Sequence, residues 1–221
     1  MIDNLWNKFI SIENLKLAWN KVMSNMGSPG IDKFTINDFQ INIDDNLNIL
    51  RKLLEDQNYE PLPLLKITIP KENQKERNIL ISTVRDRIVQ TAILNILEPI
   101  FEKNFLDTSY SYRKGRSANM ALNKIQKYIK NENNWIVIGD IESFFDNVNL
   151  EILFNLIKKE INDKNLLNLI FKIIKSGEQF NNKGIPQGSV ISPIFANIYL
   201  NEFDKLIYSK YNLIRYVDDF L

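Results

Sequence analysis

Leu213-Ile214-Arg215-Tyr216-Val217-Asp218-Asp219-Phe220-Leu221, the last nine residues of a 221-residue sequence, is the stretch whose reading decides the fold. Leu213 to Val217 predicts a strand, Phe220 begins a second one, and the two aspartates between them suit a tight turn. Adjacent carboxylates at a strand tip offer the oxygen donors that a hard divalent cation prefers. Taken alone, an Asp-Asp pair is better read as a solvated hairpin turn. Its meaning therefore depends on partners elsewhere in the chain.

The composition narrows what those partners can be. Hydrophobic residues make up 44% and charged residues 25%, as in soluble globular proteins, and the length allows one large domain or two small ones. There is no cysteine and no histidine. Disulfides, thiolate catalysis, Cys/His zinc sites and histidine triads are excluded, which leaves carboxylates as the ligand set for a metal. The start, Met1-Ile2-Asp3-Asn4-Leu5-Trp6, lacks a basic, apolar signal sequence, and no run approaches the roughly 18 apolar residues of a membrane helix. A cytoplasmic protein without membrane contact is the expectation. The net charge is only +1, but Ser111 to Lys130 holds Arg113, Lys114, Arg116, Lys124, Lys127 and Lys130 with no acid. A local basic face of that kind suits a polyanion groove. A solvated helix face is the alternative.

In chain order, residues 3 to 26 predict a helix from Leu5, Phe9, Ile12, Leu15 and Trp19. The loop Gly27-Ser28-Pro29-Gly30-Ile31-Asp32 follows, then a second helix over 34–54 with Asp38 as its cap. Pro61 and Pro63 precede a strand ending at Ile69-Pro70. Pro70 to Lys75 predicts a turn and Glu76 to Ile81 a returning strand. Lys71 and Arg77 on this ribbon could reach a triphosphate, although an exposed charged hairpin reads the same way. Thr83 caps an apolar-striped helix, with Arg85 and Arg87 off the stripe as candidates to face a template.

Tyr110-Ser111-Tyr112-Arg113-Lys114-Gly115-Arg116-Ser117 interleaves aromatics and bases, a mix that stacks on bases and pairs with phosphates. Ser117 caps a helix over 118–129. Trp135-Ile136-Val137-Ile138-Gly139 predicts a buried central strand, and Asp140 at its end is a costly charge unless paired or bound to metal. Asp146 is expected to cap the next helix. Helices over 150–161 and 164–175 carry no evident chemistry. Gly184-Ile185-Pro186-Gln187-Gly188-Ser189 is a flexible loop, followed by a helix with Ser192 at the cap and Pro193 at the first position.

In this order the segments resemble the reverse transcriptases, in particular their bacterial group II intron-like branch. Asp140-Ile141-Glu142-Ser143-Phe144-Phe145-Asp146 is similar to that family's motif A, Gly184 to Pro193 to motif B, and Tyr216 to Asp219 to motif C. Ile69-Pro70-Lys71 through Arg77, and Thr83 to Gln90, resemble its fingers; Gly27 to Asp32 resembles its N-terminal extension. Val217, Asn78 and Ile81-Ser82 stand where that branch often has Ala, Pro and Ile-Pro. Retron, CRISPR-associated and antiviral-defence reverse transcriptases are alternative subfamilies.

The resemblance implies an α+β right-hand polymerase fold: a helical extension over 1–60, fingers over 61–134 and palm over 135–221, with a small antiparallel sheet packed by helices and no thumb. It implies two Mg²⁺ ions, or Mn²⁺ in their place, held by Asp140, Asp218, Asp219 and the Ile141 carbonyl. Lys71, Arg77, the amides of Glu142, Ser143, Phe144 and Phe145, and Gln187 would hold the nucleotide, with Phe145 as the steric gate against a 2′-hydroxyl. Arg85, Arg87, Arg113, Lys114, Gly115, Arg116 and Tyr216 would meet template and primer. Expected partners are an RNA template, a DNA or RNA primer and dNTPs. Because the sequence stops two residues after Asp219, a truncated or split enzyme is expected, with weak activity alone and self-association or a thumb-bearing segment to complete it. Two other readings stay open, a non-catalytic RNA-binding assembly module and an RNA-dependent RNA polymerase.

Overall fold

The computed structural model describes residues 5–70, 76–130, 135–177 and 182–221. The chain runs α1 (Leu5–Phe9), α2 (Ile12–Ser24), α3 (Ile36–Ile41), α4 (Ile43–Glu55), β1 (Leu65–Pro70), β2 (Glu76–Ile81) and α5 (Val84–Phe101). After a 3-10 turn at Glu102–Asn104 come α6 (Ala118–Lys130), β3 (Gly139–Asp140), α7 (Phe144–Asn147), α8 (Leu150–Glu160), α9 (Lys164–Ser176), α10 (Ser192–Tyr208), β4 (Arg215–Tyr216) and β5 (Asp219–Phe220). Two small sheets accompany these helices, a β1-β2 hairpin and a sheet in the order β3-β5-β4, antiparallel throughout.

The centre is α5. Ile88, Val89, Gln90, Thr91, Ala92 and Ile93 are buried in succession, so water reaches no side of that stretch. A helix buried all round must satisfy its polar groups internally. Asn14 on α2 does part of this, donating to the carbonyls of Phe9 (2.9 Å) and Ala92 (3.1 Å). Gln90 does another part, donating to Ser82 Oγ (3.1 Å) and accepting from Ser189 Oγ (2.8 Å). One continuous apolar cluster joins α1, α2, α4 and α5 to α8, α9 and α10.

Several expected boundaries move, each for a local reason. The first helix is broken after Phe9, because Ser11 is extended and its hydroxyl accepts from the Asn14 amide, starting α2 afresh. The second is split at Asn42, and its cap is Thr35; Asp38 is the third-position partner of a capping box. The Thr35 hydrogen bonds hold the Asp38 carboxyl below its ordinary range. Asp146 lies inside α7 and caps nothing, the cap of α8 being Asn149. Ser192 is the first helical residue of α10, and its hydroxyl donates to the Pro186 carbonyl (2.7 Å).

The largest departure concerns the expected buried strand at Trp135–Gly139. Only Gly139 and Asp140 join the sheet, while Trp135, Val137 and Ile138 are 94%, 75% and 78% exposed. The antiparallel register explains this. Gly139 faces Phe220 and Asp140 faces Asp219, and the pairing does not continue back to Trp135–Ile138. The expected turn also shifts by one residue. Val217 and Asp218 form it, and Asp219 is already a strand residue.

Candidate active site

Three short strands set the geometry. Asp140 pairs with Asp219, and Asp219 pairs with Tyr216, so these three residues form one line across the sheet. Partners in an antiparallel ladder project to the same face with Cβ atoms about 4.5–5.5 Å apart. That face is open, and Asp140, Asp219 and Tyr216 are all exposed. The opposite face is packed. Phe220 lies over Gly139, where a Cβ would sit 2.3 Å from the ring, and meets Phe203 of α10 at 5.2 Å. Glycine before Asp140 is therefore required by this close approach.

The turn that carries Asp218 is held from beneath. Val217 has φ +61°, a left-handed conformation that is costly for a β-branched residue. Its N–H donates to Ser111 Oγ at 2.7 Å, and its carbonyl accepts from Arg215 Nη1 at 2.7 Å. Arg215 is 1% exposed and forks onto Asp204 of α10, with both bonds 2.7 Å and Asp204 0% exposed. Asn197, two turns earlier on α10, accepts from Arg215 (3.3 Å) and Ser109 (3.0 Å) and donates to the Ser111 carbonyl (3.0 Å). The Thr108–Tyr110 backbone completes the seat by pairing with Arg215.

The donor set suits a hard divalent cation. Two exposed carboxylates share a rung, a third is adjacent in the chain, and the Ile141 carbonyl follows Asp140. Among the described residues no three acidic side chains are gathered closely enough to hold a metal ion between them. The Ile141 carbonyl also accepts from the Phe144 amide (3.2 Å), which a carbonyl's second lone pair permits. That bond occupies one amide expected to meet a nucleotide, and the Phe144 ring is buried. Glu142 and Ser143 are exposed, Ser143 with φ +50°. Phe145 is half-buried, edge-on to Phe144 at 5.4 Å, and its carbonyl accepts from Ile185 (2.8 Å).

Gln187 is half-buried at the foot of the β1-β2 hairpin, its carbonyl accepting from the Leu80 amide at 2.8 Å. Gly188, with φ +103°, is what lets the loop come so close. A Cβ there would lie 2.7 Å from Ile79 Cγ2 and 3.1 Å from the Leu80 carbonyl oxygen. The hairpin and the 184–189 loop are thus one assembly, cross-braced by Ser82, Gln90 and Ser189. Lys71 lies outside the described residues. Arg77 stands opposite Ile69 in the hairpin register.

The basic residues expected at template and primer fare differently. Arg113 is 7% exposed; it grips Glu102 with Nε and Nη2 and donates to the Leu106 and Ser109 carbonyls. Its donors are occupied by the fold, which corrects the expectation that it meets a phosphate. Arg85 lies over the Tyr59 ring and bonds the Glu60 carbonyl (2.7 Å), so it is also largely structural. Arg87 is half-buried, holds the Ser28 carbonyl (2.7 Å), and burial depresses its guanidinium below the usual range. Arg116 pairs with Asp107, holding that carboxyl below its ordinary range, and lies over Tyr110. Lys114 and Gly115 (φ +75°) remain exposed, as does Tyr216.

Reading residues in sequence missed Arg215, Asp204, Asn197 and Ser111. A signal was present, since Arg215 interrupts the apolar run Leu213-Ile214, and Asn197 and Asp204 are seven apart on the buried side of α10. A polar residue on each of two buried faces points to a mutual pair.

Residues 69–221 match the family model described as reverse transcriptase (RNA-dependent DNA polymerase). The chain is 36% identical to protein YkfC of Escherichia coli (strain K12), covering 95% of this chain and 58% of that protein. It is 35% identical to the group II intron-encoded protein LtrA of Lactococcus lactis subsp. cremoris, over 86% of this chain and 33% of that protein. A solved partial Cas6-RT-Cas1–Cas2 complex contains a chain superposing with TM-score 0.62 at 25% identity, covering 99% of this chain and 38% of that one. The chain thus spans little more than half the length of one of these curated relatives and a third of the other.

Proposed function

The chain belongs to the reverse transcriptase family, and from that premise we propose that it is the fingers and part of the palm of an RNA-directed DNA polymerase of the group II intron-like branch. Residues 1–60 would form the N-terminal extension, 61–134 the fingers and 135–221 the palm. The single observation that carries the reading is the pairing of Asp140 with Asp219 on an open sheet face beside the Val217-Asp218 turn. These carboxylates are distant in sequence and lie together on an unfilled surface, whereas the buried acids Asp86 and Asp204 are occupied by fold contacts.

Asp140, Asp218, Asp219 and the Ile141 carbonyl would hold divalent metal, with Mg²⁺ proposed as the physiological ion. Bound there, a metal pair supplies activation of the primer hydroxyl and neutralises charge on the departing pyrophosphate. The chain's own residues would do the positioning. Lys71 and Arg77 would close over the triphosphate, with the Glu142–Phe145 turn beneath it. Phe145 would exclude a ribose 2′-hydroxyl, and Gln187 would touch the nascent pair. Lys114, Arg116 and Tyr216 would meet the RNA template and the primer.

The test is binding of a fluorescent deoxynucleoside triphosphate with Mn²⁺ to the chain annealed to an RNA–DNA duplex, alongside a sensitive primer-extension assay. Binding should require Asp140 and Asp218 and should discriminate against the ribonucleotide. Binding that survives Asp140→Asn would refute the reading. A CRISPR-associated setting is the second reading, favoured by the likeness to the Cas6-RT-Cas1–Cas2 chain. No helix among the described residues is long and apolar enough to cross a membrane.

A further inference from the structure

The buried network beneath the Val217-Asp218 turn is larger than a hairpin of this length needs. A two-residue turn joining short strands is ordinarily built with residues that accept positive φ, such as Gly or Asn. Here valine occupies that position, and both polar groups of its backbone are fixed from below by Ser111 and Arg215. The Arg215 fork onto Asp204 and the Asn197 contacts tie the same turn to α10, the helix that follows the Gln187 loop. Nothing in this network reaches the open sheet face, so it can act on that face only through the direction in which Asp218 and Asp219 are held.

We propose that Ser111 and Arg215 are positioning residues that hold Val217 in its left-handed conformation and thereby aim the Asp218 and Asp219 carboxylates at Asp140, preorganising the divalent-metal site. This rests on the polymerase reading of that site. The strain at Val217 is offset by the two hydrogen bonds. If the Ser111 bond is lost, the turn relaxes toward negative φ, and Asp218 swings away from the Asp140–Asp219 rung. Groups that orient metal ligands without touching the metal ordinarily change affinity by tenfold or more. Ser111 belongs to the aromatic and basic 110–117 segment, so the same segment would join the basic surface to the metal site through one hydroxyl.

The variant of choice is Ser111→Ala, because Arg215→Ala would strand the buried Asp204 charge and endanger folding. Mn²⁺ binding to the 221-residue chain is followed by the electron paramagnetic resonance signal of the free ion, with the thermal midpoint recorded in parallel. Ser111→Ala should weaken Mn²⁺ binding about tenfold with little change in the midpoint. Ser111→Thr, which keeps the hydroxyl, should restore it. Equal affinity in Ser111→Ala and the parent overturns the positioning role and leaves the polymerase reading standing. Failure of Ser111→Thr to rescue overturns it as well. If the parent binds no Mn²⁺, or binding is indifferent to Asp140→Asn, the polymerase reading falls and this inference with it.

Discussion

Asp140 stands directly opposite Asp219 in the antiparallel ladder of β3 and β5. Like charges on one rung repel by about 0.2–1 kcal/mol when no cation lies between them. Asp140→Asn should therefore have effects of opposite sign. The metal-free chain should gain about 1–3 °C in thermal midpoint, and less at high salt, where the repulsion is screened. Mn²⁺ binding should be nearly abolished. A substitution that lowers the midpoint, or leaves metal affinity unchanged, would contradict the shared site.

Gly188→Ala tests the coupling of the 184–189 loop to the hairpin. At φ +103° an alanine is strained, and its Cβ would meet the hairpin at 2.7 Å. The strain alone costs about 1–3 kcal/mol, and relief requires lifting the loop off Leu80. Differential scanning calorimetry should show the loss of stability. Nucleotide affinity should fall with it, because Gln187 and Arg77 lose their common support. Loss of stability with nucleotide affinity intact would separate the loop from the site.

How far the sequence could be read depended on the range of the interaction. The β1-β2 strands, the Thr83 cap and the helices α8 and α9 are local patterns, and they emerge as expected. Trp135–Ile138 misled because periodicity in one segment shows neither its strand partners nor its register. Arg113 misled for a related reason. Its neighbours Lys114 and Arg116 suggested a phosphate-binding surface, whereas Glu102, eleven residues earlier, claims its guanidinium. The Asp140–Asp219 juxtaposition, a contact across most of a domain, became legible only through the order of several weak motifs. The Arg215–Asp204 pair was signalled only by a charged residue set into each of two apolar faces.

Adjacent residues Arg113 and Lys114 should separate structural from surface charge. Arg113→Met leaves Glu102 and two carbonyls without their donor and should cost about 2–3 kcal/mol in urea unfolding. The salt slope of RNA binding should barely change. Lys114→Gln should leave stability within about 0.5 kcal/mol and lower the slope of log affinity against log salt by about 1. The reverse pattern would return Arg113 to the nucleic-acid face.

Tyr59 donates to Asp86 at 2.6 Å, both side chains being buried. Burial first, and then the Asp86 charge, raises the Tyr59 hydroxyl well above its ordinary value of 10.0. The folded state therefore holds this proton more tightly than the unfolded chain. Its stabilising contribution is complete below pH 10 and declines as the pH climbs from there toward the folded value. Urea unfolding at pH 8 and above 10 should show a gap between the parent and Tyr59→Phe that narrows as the pH rises. A gap that widens would reverse the assignment.

Phe145 is the last residue of the proposed site whose role can be isolated. Its ring is half-buried and edge-on to Phe144. A gate of this type discriminates by exclusion, so shortening it should admit the ribonucleotide more than it harms the deoxynucleotide. In primer extension, or in triphosphate binding with Mn²⁺, Phe145→Ala should raise the ribo-to-deoxy ratio at least about tenfold, within the range that apolar contacts can supply. Phe145→Tyr should keep the discrimination, because the ring's bulk is retained. Unaltered sugar selectivity in Phe145→Ala would assign the ring to packing against Phe144 and leave discrimination to another contact, such as Gln187.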